Sequence, residues 1–167
     1  MEAVIEAVNF TGIRVIVTSE KSFEEVTKNI EKINGRSDNA LFEQMIDSQQ
    51  SLEEIESGIK SMIGQTGFMI FSQIEHGKLM SLLGKNKNAK LYIIGNPLIA
   101  NQMLEENPAV GLYVPLRLFV YDDYNGKTHV TYDKPSSLLG QFPNQKISKI
   151  MQIIDQKFEE MVRLATW

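Results

Sequence analysis

The chain has no cysteine in its 167 residues. That excludes disulfides, thiol nucleophiles and thiolate-bound metal in one step. Histidine is nearly as scarce. His76 and His129 are the two in the chain, and they lie too far apart for the local ligand pairs that zinc sites show. No metal and no cofactor is therefore expected. No apolar run approaches the roughly 18 residues that a membrane-spanning helix needs, so no membrane partner is expected either. The first ten residues carry Glu2 and Glu6 where a secretory leader would be basic, then long and apolar. A cytoplasmic location is the expectation. A net charge of −4 and a pI near 5.3 argue against nucleic acid as a partner. Lys85, Lys87 and Lys90 form the one basic cluster and read as a solvated loop. None of the glycine-rich phosphate loops, and no nucleophile elbow, is present.

What remains is an ordinary globular composition, 43% hydrophobic and 23% charged, in a chain of single-domain length. Residues 1–167 are read as one domain. Ile13, Val15 and Val17 alternate, which predicts a strand within 10–18. Ser22 and Glu25 have the spacing of a capping box, and Val26, Ile30 and Ile33 continue at helical period to Asn34-Gly35. Asp38 or Asn39 heads a short helix carrying Leu41, Phe42, Met45 and Ile46. Ser51 and Glu54 repeat the capping box before Ile55, Ile59, Met62 and Ile63. Strands are expected at 68–74 and 91–94, with a short helix at 78–83 between them. Asn96 and Pro97 suit the N-cap and first turn of a helix that ends at Asn107-Pro108. A strand over 112–123, interrupted by Pro115, leads into Asn125-Gly126 and a return strand over 127–133. Ile147 to Ala165 keeps helical spacing in one long C-terminal helix. The fold class expected is α+β, a two-layer sandwich. Its sheet has about five strands, mixed or antiparallel, with helices mainly on one face.

A two-residue turn at Asn125-Gly126 would pair Asp122 with His129 and Phe119 with Tyr132. Arg117, Phe119, Tyr121 and Tyr132 then share one face, and Leu116, Leu118 and Val120 the other. The first face is either a ligand wall with one charged anchor or an arginine lying over aromatics with no ligand. His129 beside Asp122 reads as a surface ion pair. His76, next to Glu75 at a strand end, is the candidate acid–base residue, against the plainer reading of a turn histidine. The methionines at apolar positions read as core.

Taken in order, Leu91-Tyr92-Ile93-Ile94-Gly95-Asn96-Pro97, Met103, Pro108, Tyr113-Val114-Pro115-Leu116-Arg117, Val120-Tyr121, Gly126-Lys127, Val130-Thr131-Tyr132 and Pro135 make a pattern. It resembles the bacterial family known as domain of unknown function 302. The match covers about residues 68–139, more loosely 10–34, which suggests a family-like core over about 10–139 and a C-terminal extension over 140–167. The resemblance implies a compact α+β domain that tends to dimerise, with no assigned biochemistry. Gly95-Asn96-Pro97, Pro115-Leu116-Arg117 and Tyr132 are the matching positions. Family members often carry Asp-His where this chain has Glu75-His76. Residues 36–60 and the helix over 144–166 stand outside the pattern.

Three readings of function follow. The first is a homodimeric, non-enzymatic binder of a small apolar or amphipathic molecule, held by Asn96, Arg117, Phe119, Tyr121 and Tyr132. The second is an enzyme using His76 with Glu75 as acid and base. The third is a protein-interaction module.

Overall fold

The alternating residues around Val15 and Val17 form β1 (Arg14–Ser19), and the Ser22 capping box starts α1 (Phe23–Ile33). The Ser22 hydroxyl accepts the Glu25 amide, and the Glu25 carboxylate accepts the Ser22 amide at 2.9 Å. After β2 (Gly35–Arg36), Asp38 caps α2 (Asn39–Asp47), and the Ser51 capping box starts α3 (Leu52–Ser61). Then come β3 (Met69–Ile74), α4 (His76–Ser81), β4 (Ala89–Gly95) and α5 (Pro97–Leu104). A short 3-10 helix (Pro108–Leu112) precedes β5 (Leu116–Asp122), β6 (Thr128–Asp133), α6 (Pro135–Leu139) and α7 (Gln145–Thr166). The structure, a computed structural model, describes residues 3–48 and 50–167.

Among the described residues, six strands form one open mixed sheet in the order β1-β6-β5-β4-β3-β2, one strand more than expected. The extra strand is β2, which pairs parallel with Met69 and Ile70 of β3. All other pairings are antiparallel. Pro115 lies just before β5, where no ladder N–H is needed. One face of the sheet buries Leu116, Leu118, Val120, Val130, Tyr92 and Ile94 against Val26 and Ile30 of α1 and against Met151, Ile154 and Phe158 of α7. A smaller cluster of Met45, Ile59, Met62 and Met69 ties α2 and α3 to the β2–β3 end. Six of the methionines are thus core residues: Met45, Met62, Met69, Met103, Met151 and Met161.

The closing hairpin differs from expectation by one residue. Asp122 pairs with Thr128, Tyr121 with His129 and Phe119 with Thr131. The loop is Tyr124–Gly126. Gly126 alone takes a positive φ of 77°, and its N–H reaches the Asp123 carbonyl at 3.2 Å. This is a type I turn followed by a glycine bulge, not the two-residue mirror turn. Asp123 is the cause. Its Oδ1 accepts the amides of Asn125 and Lys127 at 2.8 and 2.9 Å, so Asn125 keeps a negative φ. Because side chains alternate along a strand, the shift turns β6 over. Tyr132 moves to the packed face and His129 to the open one.

Candidate functional site

The face of the sheet opposite α1 and α7 carries Arg117, Phe119 and Tyr121 from β5. It carries His129, Thr131 and Asp133 from β6, and Arg14, Ile16 and Thr18 from β1. The rings form a continuous series. His76 meets Phe119 edge-on at 5.9 Å, Phe119 stacks on Tyr121 at 5.4 Å, and Tyr121 stacks on His129 at 5.2 Å. Both nitrogens of His129 are engaged. Nε2 lies 3.2 Å from Asp123 Oδ2, and Nδ1 lies 3.1 Å from Thr18 Oγ1. Nε2–H donating to the carboxylate leaves Nδ1 to accept from the threonine hydroxyl, so both bonds hold the ring flat against Tyr121. Lys127 and Asn125 amides, with His129, hold the Asp123 carboxyl below its usual range.

Two guanidinium groups flank the series. Arg14 forms a fork with Asp133, Nε to Oδ1 at 2.8 Å and Nη2 to Oδ2 at 3.1 Å. Arg117 is exposed and makes no ion pair or hydrogen bond among the described residues. Arg14, His76, Leu91, Arg117, Phe119, Thr131 and Asp133 line a hollow of about 420 Å³. The result is a row of stacked rings whose Phe119 end borders the hollow, with the Arg117 cation unmatched beside it among the described residues. That combination suits a planar molecule carrying an anionic group.

The structure brings together Arg117, Phe119, Tyr121 and His76 of the residues singled out from the sequence. It separates the others. Tyr132 borders the hollow, but its ring packs on the other side of the sheet, 4.9 Å from Phe158 and 93% buried. Asn96 sits at the far end of β4, where its Oδ1 accepts the amides of Leu98 and Ile99 and its Nδ2 donates to the Gly67 carbonyl at 2.9 Å. His129 pairs with Asp123, not Asp122. Asp122 instead accepts from Thr128 and Asn88 on the packed side. Sequence reasoning missed Arg14, Thr18 and the place of His129, because β1 meets β6 across more than 100 residues.

Glu75 and His76 point apart. The Glu75 carboxylate lies 2.8 Å from Lys90 Nζ, and no hydrogen bond joins it to His76 among the described residues. Lys90 is not part of a solvated loop. It belongs to β4, its side chain is 10% exposed, and its Nζ also meets Glu31 at 2.7 Å. Tyr92 donates its hydroxyl to the same Glu31 oxygen at 3.1 Å, and Arg36 reaches the other oxygen at 3.2 Å. Burial pushes the Glu31 carboxyl up, but Lys90, Tyr92 and Arg36 together outweigh it and hold it below the usual range. Burial likewise pulls the Lys90 ammonium down, and Glu31 and Glu75 outweigh it and raise it. Burial, reinforced by Glu31, drives the Tyr92 hydroxyl well above its usual range, so it acts as a neutral donor. This is a closed ion cluster joining α1 to the sheet. No group of three or more His, Asp or Glu arranged to hold a metal occurs among the described residues. No helix among them is long and apolar enough to cross a membrane.

The family model described as Domain of unknown function DUF302 matches residues 44–165. The chain belongs to the DUF302 family. The matched stretch takes in α3 and α7, so it is wider than the 68–139 span on which the resemblance rested. The crystal structure of an uncharacterised conserved DUF302 protein from Bacillus stearothermophilus has the same fold. It aligns with a TM-score of 0.63 at 19% identity, covering 91% of this chain and 97% of that one. No curated protein matches the chain. Family membership therefore brings a fold and no assigned chemistry.

Proposed function

We propose that this DUF302 protein is a non-enzymatic, homodimeric binding domain of the cytoplasm that takes a small amphipathic molecule on its open sheet face. The observation that carries this reading is Arg117, an exposed guanidinium without a partner among the described residues, beside the stacked Phe119, Tyr121 and His129 rings. An aromatic or fused-ring acid fits: its ring packs in the hollow beside Phe119 and its carboxylate or phosphate meets Arg117 in a fork. The hollow is shallow, and Ile16 beside it is 57% exposed. A second copy laid on this face would cover Ile16 and enclose the ligand, which is the support for the dimer. The absence of cysteine fits a cytoplasmic setting.

The test is a thermal-shift series with aromatic carboxylates and their neutral amides. Carboxylates should raise the melting temperature and amides should not. Arg117→Ala should abolish the shift while leaving the unliganded melting temperature unchanged. A series in which no acid stabilises the protein, or in which amides do so equally, rejects the reading.

A further inference from the structure

The Gly95-Asn96-Pro97 turn is left without a role by the open face, and it builds a second cavity. Gly95 ends β4, and its missing side chain leaves space. A Cβ there would stand 3.2 Å from Pro115 Cβ and 3.3 Å from Phe71 Cε2. Asn96 and Pro97 then start α5 at once, so the first turns of that helix overhang the end of the sheet. Under the overhang lies a cleft of about 420 Å³, within the usual size range of small-molecule sites, roughly 300–1,000 Å³. It runs along the seam between the two hydrophobic clusters. Met103, Leu116 and Ile154 come from the larger, and Phe42 and Phe71 come from the smaller.

No ionisable side chain among the described residues lines this cleft, although 23% of the chain is charged. The two amide side chains that line it among the described residues are already committed. Asn96 holds the α5 amides and the Gly67 carbonyl, and Asn101 Nδ2 donates to Glu105 at 2.7 Å. A carboxylate or ammonium entering here would lose its water and find no counter-charge, which is strongly unfavourable. An uncharged apolar chain or ring loses nothing by entry and gains contact with aliphatic and aromatic walls.

We propose that the cleft between α5, Phe42 and the end of the sheet is a second binding site, selective for an uncharged apolar molecule. It is independent of the open-face site: the ligand classes differ, and Arg117 does not line the cleft.

The experiment uses the full chain and the neutral fluorophore N-phenyl-1-naphthylamine. Its fluorescence should rise to saturation at one probe per chain. Dodecanol should displace it, and dodecanoate at pH 8 should do so at least tenfold less effectively. Ala100→Phe, which fills the cleft from α5, should weaken probe binding at least tenfold. Arg117→Ala should leave it unchanged, so failure of the open-face reading would not touch this one. Methyl NMR of the unmodified chain covers the case in which Ala100→Phe does not fold: dodecanol should shift the Met103 and Ile154 methyl signals. No saturable binding, binding unaffected by Ala100→Phe, unmoved Met103 and Ile154 signals, or equal displacement by dodecanoate would each overturn the proposal.

Discussion

Lys90 shows how much the surroundings of one side chain decide. Two carboxylates at 2.7 and 2.8 Å make its burial tolerable, and neither is near it in sequence order as a helix or hairpin neighbour. Lys90→Met should destabilise the fold by about 2–4 kcal/mol, somewhat under the range for a fully buried pair, because Glu31 keeps 29% exposure. Urea unfolding measures it. The double variant Lys90→Met with Glu31→Leu should regain part of the loss, since the charges it leaves behind, Glu75 with Lys78 at 3.7 Å and the exposed Arg36, are the ones open to water. A double-variant loss equal to the sum of the losses in Lys90→Met and Glu31→Leu alone would show that the two residues act independently. The same cluster sets a pH dependence. The Glu31 carboxyl is depressed in the folded state. Its stabilisation is complete above the unfolded value of about 4.3 and is lost as pH falls through the lower folded value. Lys90 is raised. Its share is complete below about 10.4 and is lost as pH rises through the higher folded value. Glu31→Gln should therefore flatten the acid limb of the stability curve, and an unchanged acid limb would assign acid unfolding to other groups.

Elements whose signals are local were legible, and those fixed by distant pairing were not. Both capping boxes, the Asp38 cap and the Asn96-Pro97 start of α5 lie where the side-chain spacing put them. A hydroxyl or amide reaching an amide two or three residues on needs no tertiary information. The two residues of β2 carry no period, and their strand exists only because β3 offers a partner. Asn-Gly is compatible with two turn types, and the Asp123 carboxylate, one position outside the expected turn, decides between them. The hairpin register, and with it the membership of the open face, followed that one carboxylate. Asp123→Ala should lower stability by freeing two turn amides. It should also loosen His129, which Asp123 holds at 3.2 Å. The readout is the His129 ring signals by NMR together with urea unfolding. Unchanged ring signals in a destabilised variant would mean that Thr18 and Tyr121 hold the imidazole without the aspartate.

At the scale of the molecule, the helices leave one sheet face largely bare, and both proposed sites follow from that uneven layering. α1 and α7 cover the packed side, while α2, α3 and α5 gather at the sheet end, where their seam leaves the apolar cleft. The bare face was legible as a mixture of aromatics and arginine on β5, but its β1 and β6 contributions required the sheet order. A sheet in water with Ile16 57% exposed and Ile74 38% exposed suits contact with another surface. The proposed dimer makes that contact self-complementary, each copy's open face meeting the other's. Ile16→Glu places a like charge on both copies at the contact. It should turn a sedimenting dimer into a monomer while changing monomer stability by no more than about 0.5 kcal/mol, as for other exposed positions. It should also weaken the aromatic acid, because an unenclosed hollow leaves that ligand in water. The neutral probe in the cleft should bind as before. A native chain that sediments as a monomer would remove the dimer and leave Arg117 to hold its ligand on an open surface. A dimer that survives Ile16→Glu would move the interface to another part of the molecule.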